Sequence, residues 1–184
     1  MDELLRAELL RRRDLDQDRN QLMDAAVPPG QLRGEFNPAA MQQWLRTEQD
    51  NAAWLRHLLA ERGWPGRSLV GDDGAHAAWL LAQNDPDVAF HRRCLSLVRA
   101  AVRVGEADPR DWAHLLDRVL LSRGQPQVFG TQVAAENGQY RPERLHDPAR
   151  VDEWRRQVGL NSLAQYILEM QRDYRPLQVR AAQP

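Results

Sequence analysis

The sequence predicts a mainly α fold, a single-domain helical bundle of about seven helices with one small β-hairpin. Asx-Pro pairs open the periodic segments, because an Asx oxygen accepts an orphan amide hydrogen and proline needs no donor there. Glycines close these segments, since glycine readily adopts the left-handed conformation that ends a helix. The pairs are Asn37-Pro38, Asp85-Pro86, Asp108-Pro109 and Asp147-Pro148, and the glycines are Gly63, Gly105, Gly124 and Gly159. Asn137-Gly138 is typical of a hairpin turn.

These boundaries and the apolar periodicity place the elements along the chain. We predict one domain over 1–174 and a flexible tail over 175–184. Between Gly124 and Asp147 the pattern changes, which predicts a small β-hairpin or an ordered loop there, with the segment VFGTQ, residues 128–132, as a strand in the case of a hairpin. The predicted helices are 2–25, 38–62, 74–84, 86–104, 109–123, 148–158 and 162–174.

Composition excludes several classes of function. A net charge of −1 offers no basic field for nucleic acid, and all 25 basic residues are arginine, so no lysine can form a Schiff base. Cys94 is the only cysteine, which excludes an internal disulfide and a cysteine-rich zinc site. The N-terminus is charged and no window approaches the roughly 18 apolar residues of a membrane span. We therefore expect a cytoplasmic protein that binds neither nucleic acid nor membrane.

Polar residues fall within apolar stripes of the first two predicted helices. Glu48 and Asn51 lie near the centre of the second stripe, so both are expected to point inward, where a polar group must be paired. On the first helix, Glu8, Arg12, Asp16 and Arg19 share one face at spacings of three and four. This face is either an intrahelical salt-bridge ladder or the wall of a pocket.

The third and fifth predicted helices carry further candidates. His76, Trp79 and Gln83 occupy one side of the third helix, and a core-edge histidine bonded to a carbonyl is the alternative to a functional one. On the fifth helix Asp117 and Arg118 flank the core face, a position that suits a rim ion pair or a pocket lining.

Further candidate residues lie around the predicted hairpin and in the turn that follows Gly63. Gln127, Thr131 and Gln132 alternate along the predicted strand, and Gly130 permits close backbone approach. Trp64, in the turn after the second helix, is expected to cap a pocket.

No recognised motif for metal, nucleotide or nucleophilic chemistry is present: the chain lacks HExxH, a Walker loop, GxSxG and GxGxxG. A carboxylate metal site built from Glu8, Asp16 and Glu48 would lack the Glu-x-x-His pattern of di-iron bundles. We expect no metal and no cofactor.

Four segments, DLDQDRN, GWPGRSLVGDDGAHAAWLLAQ, DRVLLSRGQPQVFGTQ and VDEWRRQVGL, together resemble the bacterial family called domain of unknown function 6624. The resemblance covers nearly the whole chain and brings no established activity. This chain departs from the family pattern at two places: Gln83-Asn84-Asp85 stands where Gln-His-Ala-Asp is usual, and Phe129 stands where tyrosine is usual. The polar positions that the resemblance implies are Asp16, Gln17, Arg19, Asp50, Asn51, Trp64, Pro65, Gln83, Asp117, Arg118, Gln127, Gly130, Thr131 and Gln132.

Because these positions overlap the inward and edge faces, we predict a shared polar pocket between helices. The expected function is a small-molecule enzyme or ligand-binding protein of bacterial metabolism, including secondary metabolism, with metal-independent acid/base chemistry. The alternative is a non-catalytic accessory or protein-interaction module, and the long first helix could also pair with a copy of itself as a homodimer. The predicted catalytic residues are Asp117, Glu48 and His76, and the predicted substrate-binding residues are Arg19, Asn51, Trp64, Gln83, Arg118, Gln127, Thr131 and Gln132.

Overall fold

The computed structural model describes residues 1–25, 38–136 and 138–173, with the side chains of 18–25, 38–41 and 44 left out. The described residues form seven α-helices and one two-stranded antiparallel sheet, which confirms the mainly α class. The predicted tail 175–184 lies outside the described residues. The elements are α1 (Glu3–Ala25), α2 (Pro38–Arg62), α3 (Arg67–Asn84), α4 (Val88–Arg103), α5 (Pro109–Ser122), β1 (Val133–Glu136), β2 (Gln139–Pro142), α6 (Val151–Gln157) and α7 (Leu163–Asp173).

The chain divides into two compact units, Met1–Asp108 and Pro109–Pro184, and each is described by itself. The single domain predicted over 1–174 stays a prediction. No helix in the described part of the chain combines the length and the apolar character that a membrane crossing needs.

The first unit consists of α1 to α4, with α1 packed against both α3 and α2. The later part of the apolar stripe of α2 is buried as its periodicity predicts, with Leu55, Leu58 and Leu59 enclosed, whereas Leu45 is 44% exposed. Apolar side chains from all four helices meet in this core, among them Leu9, Leu55, Leu59, Val70, Ala77, Ala78, Cys94 and Val98.

Helix α3 begins seven residues earlier than predicted, at Arg67. Gly71, with φ 74° and ψ 171°, breaks it into a short first turn and a longer second piece. The first turn forms because the Gly66 carbonyl accepts from the amides of Leu69 and Val70, and Glu106 accepts from the Ser68 amide at 2.8 Å. Periodicity starts only after the break, so it could not find this turn.

Two of the predicted helix starts are corrected. Asp85 ends α3, and α4 begins at Val88 with Asp87 as its N-cap, which accepts from Ala89 N at 2.8 Å. The Asp85 carboxylate is instead engaged by Arg56. Asp147 accepts from Ala149 N in a turn, and α6 begins only at Val151.

The predicted start of α5 and the predicted helix ends at glycine are confirmed. Helix α5 begins at Pro109, as its Asp-Pro pair predicts, whereas Asn37 lies outside the described residues. The four glycines predicted to end helices all have positive φ, between 69° and 77°.

The second unit contains α5, the hairpin, α6 and α7. Strands β1 and β2 pair in register from Val133 with Pro142 to Glu136 with Gln139, which confirms the hairpin. Gly138 has a positive φ of 76°, whereas Asn137 lies outside the described residues. The strand predicted at 128–132 is wrong: these residues form a loop, and β1 begins at Val133. Phe129 from this loop packs edge-on against Trp112, with ring centroids 5.7 Å apart, beside the buried residues of α5.

Within the first unit, α1 is fixed to α3 by a two-pronged ion pair. Arg6 Nε donates to Asp73 Oδ1 at 2.9 Å, and Arg6 Nη2 donates to Oδ2 at 2.6 Å. The guanidinium group holds the pKa of Asp73 at about 2, below its usual 3.8. Since the folded-state pKa is the lower one, the pair stabilises the fold above about pH 4, and this contribution is lost as the pH falls through about 2.

We therefore expect Asp73→Asn to unfold at a lower urea concentration than the native chain at pH 7. The two midpoints should converge between about pH 4 and pH 2. Because Asp73 is 43% exposed, the shift should be small. Asp72→Asn is the matched control, since that neighbouring carboxylate is 84% exposed. Midpoints for Asp73→Asn that do not depend on pH would contradict this account.

Candidate functional site

The sequence-predicted site residues fall into two groups, one in each unit. The side chain of Arg19 lies outside the described part of α1. The first unit holds Glu48, Asn51, Trp64, His76 and Gln83, and the second unit holds Asp117, Arg118, Gln127, Thr131 and Gln132.

A polar cleft in the first unit brings Glu48 and Asn51 together. Its volume is about 210 Å³ including space open to solvent, and the centre of a water-sized group can occupy about 10 Å³ of it, which is room for roughly one water molecule. Helices α1, α2 and α3 and the Asp85 turn supply its walls. The lining residues are Asp16, Glu48, Asn51, Ala52, Leu81, Asn84 and Asp85.

The orientation of the Asn51 side chain is fixed by a buried arginine. Asn51 is only 6% exposed, and its Oδ1 accepts from Arg12 Nη1 at 2.9 Å. Because a guanidinium group can only donate, the oxygen of the amide must face Arg12 and the nitrogen must face away. Asn51 Nδ2 is buried and has no hydrogen-bond partner. A buried amide nitrogen in this state costs about 1 to 3 kcal/mol.

Three carboxylates line the same cleft, and they differ in what holds them. Asp85 is fully buried and accepts from Arg56 Nη2 at 2.8 and 2.9 Å, which commits it to an ion pair. Asp16 is 5% exposed and accepts from Asn84 Nδ2 at 2.6 Å. Glu48 is half-buried and lies three residues before Asn51, on the same side of α2. Asp16 and Glu48 thus lie in the same cleft as the Asn51 amide.

The face of α1 that carries Glu8, Arg12 and Asp16 forms an intrahelical salt bridge and also part of the cleft wall. Glu8 accepts from Arg12 Nε at 2.7 Å, one step of an intrahelical ladder, and the pKa of Glu8 is lowered mainly by Arg11 and then by Arg12. Arg12 is also buried: it pairs with Asp50 at 2.7 Å and stacks on the Trp54 ring at 4.6 Å. Asp16 on the same face lines the cleft, so this side of α1 also forms part of its wall.

Three predicted residues of the first unit do not line the cleft. His76 is exposed, and its ring stacks on Trp79 with centroids 4.9 Å apart. Trp64 and Gln83 are half-buried, and each has a buried polar atom without a hydrogen-bond partner, Nε1 and Oε1 respectively. Their predicted roles stay predictions.

In the second unit, Asp117 anchors the loop that follows α5. Its carboxylate is completely buried and accepts from the backbone amides of Val128, Phe129 and Thr131 at 2.8 to 3.1 Å, and from Thr131 Oγ1 at 3.0 Å. Burial raises the pKa of Asp117, and the four donors act in the opposite direction. These bonds curl residues 128–131 around the carboxylate, which is why the VFGTQ segment is not a strand.

Gln127 closes the same loop from its other end. Its fully buried side chain donates to the carbonyls of Gln132 and Glu143, both at 2.9 Å, and accepts from Gln132 N at 3.0 Å. Gln132 Nε2 donates to Thr131 Oγ1 at 3.2 Å. The three polar side chains thus bond mainly to the loop itself. Their predicted roles in substrate binding, and that of Asp117 in catalysis, are not tested by these contacts.

Arg155 is a buried charge that periodicity did not single out, although VDEWRRQVGL contains it. It is 1% exposed, and it donates to the carbonyls of Phe129 and Asn161, both at 2.6 Å. Burial lowers the pKa of Arg155. Tyr166, whose ring lies against this guanidinium group, donates to the Thr131 carbonyl at 2.9 Å.

Arg118, a predicted substrate-binding residue, is half-buried. Its Nε is buried and has no hydrogen-bond partner, and burial lowers the pKa of Arg118.

Replacing Asp117 by asparagine should destabilise the fold strongly. An amide offers one acceptor oxygen and turns an amino group toward backbone donors, so we expect Asp117→Asn to lower the free energy of unfolding by about 2 to 4 kcal/mol. Thr131→Val removes one of the four donors and should cost about 1 kcal/mol. Urea unfolding measures both.

Glu136→Gln serves as the control, because it removes an exposed charge in β1 and should change little. Native-like stability of Asp117→Asn would show that the loop does not depend on this carboxylate.

Among the residues that the structure describes, no three His, Cys, Asp or Glu side chains are grouped so that they could hold a metal ion. The position at which the sequence departs from the family pattern does lie in the cleft, since Asn84 is one of its lining residues. Neither Asn84 nor Asp85 was predicted as a site residue.

A family model described as a family of unknown function (DUF6624) matches residues 4–180. No curated protein matches the chain, and no solved structure does.

Proposed function

The chain belongs to the family of unknown function DUF6624, and we propose from the cleft of its first unit that it binds a small polar molecule and performs metal-independent acid/base chemistry on it. In this proposal Asn51 orients the bound molecule and Glu48 or Asp16 transfers the proton. The observation that carries the proposal is the buried, unpartnered Nδ2 of Asn51.

Folded proteins satisfy the great majority of their buried polar groups, so an exception needs an explanation. Arg12 also fixes the orientation of this amide, because it donates to Asn51 Oδ1 and so keeps Nδ2 pointing away from the guanidinium group. A ligand that accepts a hydrogen bond would satisfy Asn51 Nδ2 and recover the free energy that the empty arrangement forgoes. This arrangement favours a binding site over a purely structural polar residue.

The proton-transfer part of the proposal rests on the neighbouring carboxylates. A general base must reach the group that loses its proton, and Glu48 and Asp16 line the same small cleft as Asn51. Asn84 supports this assignment, because it stands where the family pattern has histidine and its Nδ2 donates to Asp16 at 2.6 Å. In this chain the cleft therefore offers carboxylates, and no histidine at position 84, for proton transfer.

The same replacement favours a second candidate, a ligand-binding protein without catalysis that acts as an accessory or interaction module. For either candidate we propose a cytoplasmic place in bacterial metabolism, supported by the buried single thiol Cys94, whose pKa is raised to about 12 by burial.

The variant Asn51→Asp tests the binding part. It keeps an acceptor for Arg12 and replaces the amino donor by an oxygen. Among compounds of a metabolite library that raise the Tm of the native chain, we expect those bound in the cleft to bind at least about tenfold more weakly to this variant. Gln49→Glu adds the same charge at an exposed position of α2 and should leave their affinity unchanged. Equal affinities for the native chain and Asn51→Asp would contradict the proposed site.

The variant Glu48→Gln separates catalysis from binding. If Glu48 is the base, this variant should keep the affinity for such a compound within a few fold and lower its conversion by about 10²- to 10⁴-fold. Conversion is followed by proton NMR of the compound mixed with the native chain or the variant. A native chain that binds the compound and leaves it unchanged would identify the non-catalytic candidate instead.

A further inference from the structure

We infer that the exposed side of α4 is a docking surface for an acidic helical segment of another protein. Four exposed arginines form this surface, here called the arginine face: Arg92, Arg93, Arg99 and Arg103. The inference goes beyond the proposed function, because none of the residues that line the cleft belongs to α4. It stands whether the molecule bound in the cleft is converted or left unchanged.

The arginine face lies on the side of α4 that is turned away from the core. The buried side of the helix includes Cys94 and Val98, which are both fully enclosed. Arg92, Arg99 and Arg103 follow one another at spacings of seven and four residues, so they form one row along the helix. At a rise of about 1.5 Å per residue the row is about 16 Å long. The fourth arginine lies beside this row.

No carboxylate balances the arginine face. Helix α4 contains no Asp or Glu, and within the described part of the chain none of its four arginines forms an ion pair. The arginines of α1 and α2 show the opposite behaviour, since most of those described lie 2.6 to 2.9 Å from a carboxylate oxygen. The paired residues are Arg6, Arg11, Arg12, Arg13, Arg56 and Arg62.

Helix stability does not account for this concentration of positive charge. A basic residue in the last turn interacts favourably with the helix dipole, which explains Arg103 alone. Arg99 lies four residues before Arg103, and two like charges at this spacing destabilise a helix. Where a sequence breaks such a local rule without a structural gain, the reason is expected to be functional. The arginine face therefore indicates a binding surface.

The dimensions of the arginine face favour a narrow partner. The whole chain has a net charge of −1, so apart from these four arginines it is net acidic. A membrane surface or a nucleic-acid duplex extends beyond the row and would also meet this acidic remainder. A single acidic helix covers the row and little else, and its carboxylates can accept two parallel hydrogen bonds from each guanidinium group.

The residues between the arginines leave room for such a helix. Ser96 lies within the row and Ala100 lies beside it, and both are exposed. Because these side chains are small, a partner helix can approach the surface of α4 closely while the longer arginine side chains extend along it.

Two synthetic peptides test the inference on the full chain. The first is an alanine-rich helix whose glutamates have the same spacings of seven and four residues as Arg92, Arg99 and Arg103. The second has the same composition, with its glutamates distributed around the helix. Dissociation constants come from NMR titrations of the ¹⁵N-labelled chain, read at the resonances of residues 89–103. We expect the first peptide to bind at least about tenfold more tightly than the second.

Charge reversal locates the effect. Arg99→Glu places a carboxylate four residues before Arg103, which is a favourable pair in a helix, so the Tm should be at least that of the native chain. Its affinity for the first peptide should fall at least about tenfold. A peptide with arginine in place of the middle glutamate should bind Arg99→Glu more tightly than it binds the native chain. Arg123→Glu, at an exposed arginine of the second unit, is the control and should leave all affinities unchanged.

Several results would overturn the inference. They are equal binding of the two peptides, an equal loss of affinity in Arg123→Glu, and binding of neither peptide. Tighter binding of phosphatidylserine vesicles or of a DNA duplex at residues 89–103 would also overturn it, because a broad anionic surface would then be the partner. All of these results leave the proposed function standing, since that proposal is tested at Asn51.

Discussion

The hydrogen bond from Arg12 to Asn51 is the interaction on which the proposed site in the cleft depends. Burying a guanidinium group is costly unless carboxylates and acceptors surround it, and Glu8, Asp50 and the Asn51 oxygen do so here. Because the arginine occupies the oxygen of the amide, the nitrogen is left as an unused buried donor. The carboxylates in the cleft then define the complementary side of the site. An arginine that touches no ligand thus determines what kind of group the neighbouring amide can hold.

The second unit uses buried polar groups in a different way. Asp117, Gln127 and Arg155 all bond to the backbone of the loop and of the segments around it, and they supply the partners that a sheet would otherwise provide. This explains why the DR…QVFGTQ segment needs its polar residues without assigning any of them to a reaction. Gly130 belongs to the same construction: its φ is 64°, and an added Cβ would lie 3.0 Å from Leu163 Cδ1. A side chain at this position would strain the loop.

Local signals in the sequence predicted much of the fold. Helix ends at glycine and the start at Pro109 depend on neighbouring residues, and so does the hairpin, which is why these predictions are confirmed. Periodicity also placed Asn51 inward. The failures involve distant partners. Asp85 is taken by Arg56, 29 residues away, so Asp87 caps α4 in its place, and Asp117 curls a segment that alternates like a strand. The pairing of Asn84 with Asp16, 68 residues apart, could not be read from either segment.

The central claim is that Asn51 Nδ2 faces a ligand while Arg12 holds the opposite end of the amide. A crystal structure of the chain soaked with a library compound that raises the Tm of the native chain, at a resolution that orients the amide through its hydrogen-bond network, tests it most directly. The account predicts a ligand oxygen within about 2.7 to 3.2 Å of Asn51 Nδ2, with Arg12 still bonded to Oδ1. A protein acceptor in contact with Asn51 Nδ2, or such a compound bound only outside the cleft, would contradict it.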